Sequence, residues 1–181
     1  DSSQPVDVQS VLQYTVYASN AGGTSVAAKS PSLTFGTPYP APFMESFAGG
    51  RETMSPWVTM QESGTGYPSW TPTTKGYDNV DYSQDGDLGW IKYSSKGTIS
   101  LISPVVDITA LKAPILKFWL RLPDGPVGLD IKVSPDQGET WETLRAMQAE
   151  CADWQCVTLD LAKYAVTRRM QVAFRASTQE Y

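Results

Sequence analysis

The stretch LDIKVSPDQGETWETL, Leu129 to Leu144, decides the fold. Leu129, Ile131 and Val133 alternate with Asp130, Lys132 and Ser134, the period-two pattern of a strand with one wet face. Pro135 and Gly138 supply a turn and the pattern restarts at Trp141, so the two halves read as a hairpin. Working outward, similar strands fall at Gln13 to Ser19, Ser25 to Thr34, Thr98 to Ser103, Trp154 to Leu159 and Met170 to Ala176. In ILKFWLRL, Ile115 to Leu122, apolar residues occupy both parities, as in a central strand covered on both faces. Only Leu161 to Tyr164 suggests a helical turn. This mixture of wet-faced and covered strands predicts an all-β chain folded as a two-sheet β-sandwich.

The composition narrows the chemistry. The 181 residues contain no histidine, which excludes Ser-His-Asp and Cys-His nucleophile systems and every His-ligated metal site. Fourteen Lys and Arg against nineteen Asp and Glu give a formal charge of −5 without a basic run, so a nucleic-acid partner is not expected. No stretch approaches the roughly 20 apolar residues of a membrane span. The chain starts at Asp1 without a charged leader and apolar run, and is expected to be a mature or excised piece of something longer. Cys151 and Cys156, the two cysteines, are too few for a four-thiolate site. In CADWQC they flank a turn-like segment, so a short-loop disulfide is expected in an oxidising compartment, with two free thiols as the other reading.

At Gly36 to Pro42, GTPYPAP, three prolines in seven residues make a stiff connector. It divides residues 1–36 from a main domain at 43–181, with 37–42 as linker. Before it, Tyr14, Val16 and Ala18 alternate, Asn20 to Gly23 turns, and Val26 and Ala28 return as a short hairpin. The run Tyr14-x-Val16-x-Ala18-x-Asn20-x-x-Gly23 resembles the last two strands of a fibronectin type III domain. That resemblance makes residues 1–36 a remnant of such a domain; an ordinary hairpin belonging to the main domain is the alternative.

From Pro42 onward an ordered set of motifs appears: PFMESF, SPWVT, SQDGDLGW, LISPVVDI, LKFWLRL, the Leu129 to Leu144 hairpin, WQCVTLDLAKY and MQVAFRAS. Together, over residues 40–176, they resemble the cleaved-adhesin type of jelly-roll domain, related in architecture to MAM domains and found in secreted proteases and other surface proteins of anaerobic bacteria. The resemblance implies jelly-roll topology, a secreted or cell-surface location, and an adhesion or accessory module without catalysis of its own. Its ligand would be host protein, glycan or a neighbouring domain. A carbohydrate-binding module attached to a glycan-degrading enzyme is the alternative. Family members continue beyond the strand matched by Val172 to Ala176 into a closing strand, whereas this chain stops at Tyr181. Another segment is therefore expected to fill that edge, either residues 10–35 or a second copy through self-association.

Asp78, Asp81, Asp85 and Asp87 place four carboxylates within ten residues around Gly76, Gly86 and Gly89, which suits either a calcium loop or a solvated acidic turn. The resemblance implies a structural calcium held by Glu45 of PFMESF with Asp85 and Asp87. Asp136 and Glu139, in SPDQGETW, resemble the family's Ser-x-Asp-x-Gly-x-x-Trp hairpin turn, with calcium at Asp136 as the lesser reading, and Trp119 is expected in the core. Trp57, Tyr67, Trp70 and Tyr77 fall in a Gly/Pro/Ser-rich stretch, where aromatic rings either stack on sugar faces or pack the loops.

Overall fold

Alternating side chains and short polar turns give almost pure β-structure. The structure, a computed structural model, describes residues 9–30, 32–50, 54–64, 70–73, 89–93, 97–122, 127–147 and 151–178. The first part is a ribbon of six short strands, β1 (Ser10–Leu12), β2 (Thr15–Val16), β3 (Ser19–Asn20), β4 (Gly23–Thr24), β5 (Ala28–Lys29) and β6 (Leu33–Phe35). They pair β1 with β6, β2 with β5 and β3 with β4, all antiparallel. Leu12 faces Leu33, Val16 faces Ala28 and Asn20 faces Gly23. Each step toward the tip shifts the register by one residue, as a β-bulge does. At the tip Gly22 N–H donates to Asn20 Oδ1 at 2.8 Å, an Asx turn.

The body follows as β7 (Tyr39–Pro40), β8 (Val58–Gln61), β9 (Trp70–Thr73), β10 (Trp90–Tyr93), β11 (Thr98–Ile102), β12 (Val106–Asp107), β13 (Ile115–Leu122), β14 (Val127–Ser134), β15 (Glu142–Met147), β16 (Cys151–Asp160) and β17 (Gln171–Thr178). A 3-10 turn at Ala162–Tyr164 precedes the last strand, where the sequence suggests a helical turn. Five strands form an antiparallel sheet in the order β15-β14-β17-β11-β8, while β13 pairs with β16, β9 with β10 and β7 with β12. Ile131 and Val133 are wholly buried and Leu129 nearly so; with Val172 and Ala176 of the neighbouring strand they form the floor of the core. Leu116, Phe118 and Leu120 of β13 close over it, and Phe118 meets Phe174 edge-on with centroids 5.1 Å apart. The architecture is a β-sandwich.

On the sheet's other face polar residues run across the strands. Arg175 Nε donates to Glu62 Oε2 at 2.8 Å, and Arg175 Nη1 donates to Asp130 Oδ2 at 3.3 Å. The Ser100 hydroxyl donates to Glu62 Oε1 at 2.8 Å. Asp130 and Lys132 are thus on the wet side of the alternation, as expected.

Three expectations are corrected. First, the connector is part of the body: Tyr39 N–H donates to Val105 O at 2.9 Å and Ala41 N–H to Asp107 O at 3.0 Å, so β7 lies parallel to β12. The linker thus supplies a strand of its own beside β12. Second, of the two places expected for the ribbon, the body of the same chain is met only at the ribbon's base among the described residues. Leu12, Tyr14, Val16, Val26 and Leu33 are exposed, Val26 at 92%. Its contacts are at its base, where Gln9, itself buried, donates from Nε2 to Val105 O at 2.6 Å and to Thr37 O at 3.1 Å. Val105 N–H returns a bond to Gln9 Oε1 at 2.8 Å. Gln137 Nε2 adds a bond to Thr34 O. Third, Cys151 and Cys156 lie in one continuous strand, and Cys156 is a free, exposed thiol. The ladder sets Cys156 opposite Trp119 and Cys151 opposite Leu122, three residues apart on β13, so their Cα atoms stand roughly 10 Å apart. A disulfide needs less than about 7 Å.

Candidate ligand-binding face

Residues 115–122 carry apolar groups on both parities, yet only one parity faces the core. Leu116, Phe118 and Leu120 pack inward, whereas Ile115 is 53% and Trp119 37% exposed. Opposite them across the ladder, Ile115 meets Asp160, Lys117 meets Thr158 and Trp119 meets Cys156. Directly opposed residues share a face, so Ile115, Lys117, Trp119, Cys156, Thr158 and Asp160 make one outward surface. Lys117, Cys156, Thr158 and Asp160 are exposed as well. Trp119, expected in the core, instead stands on a strand whose inner side is fixed by Phe118 and Leu120. Parity alone could have flagged this: Lys117 shares its side of the strand, and a charged neighbour marks a face toward water.

Two of the four loop aromatics, Trp57 and Trp70, fall among the described residues. The Trp57 ring packs on Phe47 with centroids 5.2 Å apart, and its indole N–H is buried without an acceptor among the described residues. Trp70 sits on β9, its ring 5.3 Å from that of Tyr93 and against the core. Both rings are half-buried. Tyr67 and Tyr77 lie outside the described residues.

Asp78, Asp81, Asp85 and Asp87 also lie outside the described residues. Glu45 is half-buried and its Oε1 accepts the N–H of Phe47 at 2.7 Å, in a tight turn where Phe47 takes a φ of 61°. Gly89, two residues beyond Asp87, packs against this turn so closely that a Cβ on it would stand 2.2 Å from Ala48 N and 2.5 Å from Ser46 O. The chain leaving the acidic run is thereby held against the Glu45 turn. Carboxylate and backbone carbonyl are the hard oxygen donors that calcium takes, so the residues fit that ion. Among the described residues alone, no group of three acidic or sulfur side chains could hold a metal.

Asp136 has structural duties. Its Oδ1 accepts the Ser134 hydroxyl at 2.7 Å and the Thr140 N–H at 2.8 Å, and its Oδ2 accepts the Thr140 hydroxyl. The Thr140 hydroxyl and then the Thr140 N–H hold its carboxyl below the usual carboxylate range. These bonds shape the turn between β14 and β15, where Gln137 and Gly138 take positive φ.

The sequence matches no family model and no curated protein. In fold the chain is similar to the K1 cleaved adhesin domain of Lys-gingipain from Porphyromonas gingivalis W83, with a TM-score of 0.54 at 19% identity over 75% of this chain and 87% of that one. A structure of TmCBM61 in complex with β-1,4-galactotriose gives 0.48 at 17% identity over 72% and 84%. One of the carbohydrate-binding modules from the β-sandwich superfamily gives 0.49 at 18% over 95% and 69%. Among the described residues no helix is long and apolar enough to cross a membrane.

Proposed function

We propose that this chain is a non-catalytic adhesion or accessory binding module of a secreted, multidomain bacterial surface protein. The observation that carries the reading is the outward face of β13 and β16, where Trp119 stands exposed on a strand locked from behind by the core. An exposed aromatic ring on a rigid, pre-organised sheet is the usual anchor of a binding surface. Host protein, glycan and a neighbouring domain are the candidate ligands, and the exposed apolar ribbon suits the last of these. A carbohydrate-binding module attached to a glycan-degrading enzyme is the second reading, favoured by the indole itself, because a flat ring matches the apolar face of a pyranose. Glycan arrays and immobilised extracellular-matrix proteins, probed with the wild type and Trp119→Ala, test the assignment. Binding that disappears in the variant is expected; binding unchanged by the substitution moves the site elsewhere.

Calcium belongs to the same reading as a structural ion, held by Glu45, Asp85 and Asp87 with Asp78 and Asp81 nearby in sequence. When bound it would neutralise the crowded carboxylates and join the acidic run to the Glu45 turn. Because the ion binds the folded site and not the unfolded chain, the melting midpoint should rise when millimolar calcium replaces chelator. Glu45→Gln should shrink that rise. An identical midpoint in calcium and chelator removes the ion from the account.

A further inference from the structure

The ribbon of residues 10–35 has two unlike sides. Both register shifts place the extra residue on its second strand: from the pair Leu12–Leu33 to Thr15–Lys29 the first strand advances three residues and the second four, and the same holds from Val16–Ala28 to Ser19–Thr24. The first strand therefore keeps its alternation, and Leu12, Tyr14 and Val16 share one side. Leu33 faces Leu12, Ala28 faces Val16 and Phe35 faces Ser10, so these three join that side. All six are exposed. The other side carries Gln13, Thr15 and Ser19 with Tyr17. At the root, Val11 and Thr34 of that other side are half-buried, and Gln137 of the body bonds to Thr34 O. The apolar side is the one turned to solvent.

We infer that this side of the ribbon packs against the same side of a second copy of the chain, the two ribbons face to face and antiparallel. A two-stranded ribbon alone is marginal in water and gains stability only when its apolar side is covered. Leu12, Tyr14, Val16, Leu33 and Phe35, each about half exposed, present on the order of 500 Å² of apolar surface, the size of patch that marks a contact site. Doubled across a two-fold axis this comes to roughly 1,000 Å², the area a specific but weak dimer needs. Charge selects the arrangement. Lys29 is the one charged residue in 10–35 and is paired with Thr15, of the other parity, so the apolar side holds no charge that must be desolvated or matched. The remaining charges of a chain with formal charge −5 lie outside the ribbon. Antiparallel packing sets the two bodies at opposite ends of ribbons roughly 35 Å long, several screening lengths apart. Because the same surface meets itself, the contact closes at two copies.

Sedimentation equilibrium of the whole chain in chelator, from about 1 to 200 μM, tests the inference. A monomer–dimer equilibrium with a dissociation constant in the micromolar range is expected, tightening as salt screens the two acidic bodies from each other. Val16→Glu puts two carboxylates into the apolar contact and should raise the constant at least about tenfold. Tyr17→Glu adds the same charge to the next residue of the strand, nearly as exposed but on the other side, and should leave the constant within about twofold. It thereby separates a lost contact from an unravelled ribbon. A monomer at every concentration overturns the inference, as does a dimer that survives Val16→Glu or one that both substitutions weaken equally. Growth beyond two copies overturns it as well, since open strand edges rather than a closed face would then be pairing. So does a dimer that salt weakens, because opposite charges would hold it. The inference does not draw on the Trp119 face, and a monomer leaves the binding-module reading standing, with a neighbouring domain to cover the ribbon.

Discussion

Gly89→Ala is expected to destabilise the fold by about 3 kcal/mol, the range of severe overpacking. The new methyl would meet the amide nitrogen of Ala48 at 2.2 Å, its Cα at 2.4 Å and the carbonyl oxygen of Ser46 at 2.5 Å. All three are backbone atoms, so no rotamer change relieves the clash. The two segments must separate, and the Glu45 turn moves with them. Gly22→Ala is the control: there the nearest atom is the side-chain oxygen of Asn20 at 3.2 Å, in an exposed turn, and a change within about 0.5 kcal/mol is expected. Denaturant unfolding of both variants checks the pair. Equal stability of Gly89→Ala and wild type would mean that the two segments do not touch. If calcium binds as proposed, Gly89→Ala should also blunt the calcium-dependent rise in melting midpoint, a readout that overpacking elsewhere would not move.

Gln9→Ala is expected to cost a similar amount, about 2–4 kcal/mol, by a different route. The amide makes three hydrogen bonds, and its loss leaves the Val105 N–H buried without its acceptor; an orphaned group of this kind costs about 1–3 kcal/mol by itself. Val105 O keeps the bond from Tyr39 N–H, so the penalty falls chiefly on the donor. Gln9→Glu separates hydrogen bonding from packing. Its carboxylate could still accept from Val105 N–H but would face the carbonyls of Val105 and Thr37, which raises its folded-state pKa above the unfolded value of about 4.3. An acid favoured in its neutral form by folding destabilises the protein at neutral pH. That loss is recovered as pH falls through the raised folded value toward about 4. A Gln9→Glu variant whose deficit is the same at pH 4.5 and pH 7 would show that the carboxyl does not face those carbonyls.

Gln9 also marks where a sequence stops being informative. The Leu129 to Val133 alternation gives strand, face and burial together, because a one-residue slip would turn Asp130 and Lys132 into the core. The hairpin at Asn20 to Gly23 was legible from its turn residues, and the β-sandwich from the spacing of such strands. A buried glutamine near the start of the described chain carries no local signal, since its partners are 28 and 96 residues away. ILKFWLRL misled for another reason: apolar groups on both parities describe a doubly covered strand and an outward-facing strand equally well, and Lys117 was the hint. GTPYPAP reads as a linker because its prolines remove donors, yet Tyr39 and Ala41 keep theirs and use them on Val105 and Asp107. Spacing suggested a bridge between Cys151 and Cys156, but only their extended backbone reveals that the strand holds them apart. In sequence Gly89 is one of three glycines around the acidic run, and nothing local to it announces its close contact with the Glu45 turn.

The parallel pairing of β7 with β12 gives the molecule a mechanical character. A pull transmitted through the ribbon and directed along Tyr39–Pro40 acts across the bonds from Tyr39 N–H to Val105 O and from Ala41 N–H to Asp107 O. Loaded in shear, the two share the tension and must break together rather than peel in turn. Gln9 ties the ribbon's root to the same Val105, so the load arrives on a strand already clamped from two directions. The joint would resist extension instead of acting as a slack tether.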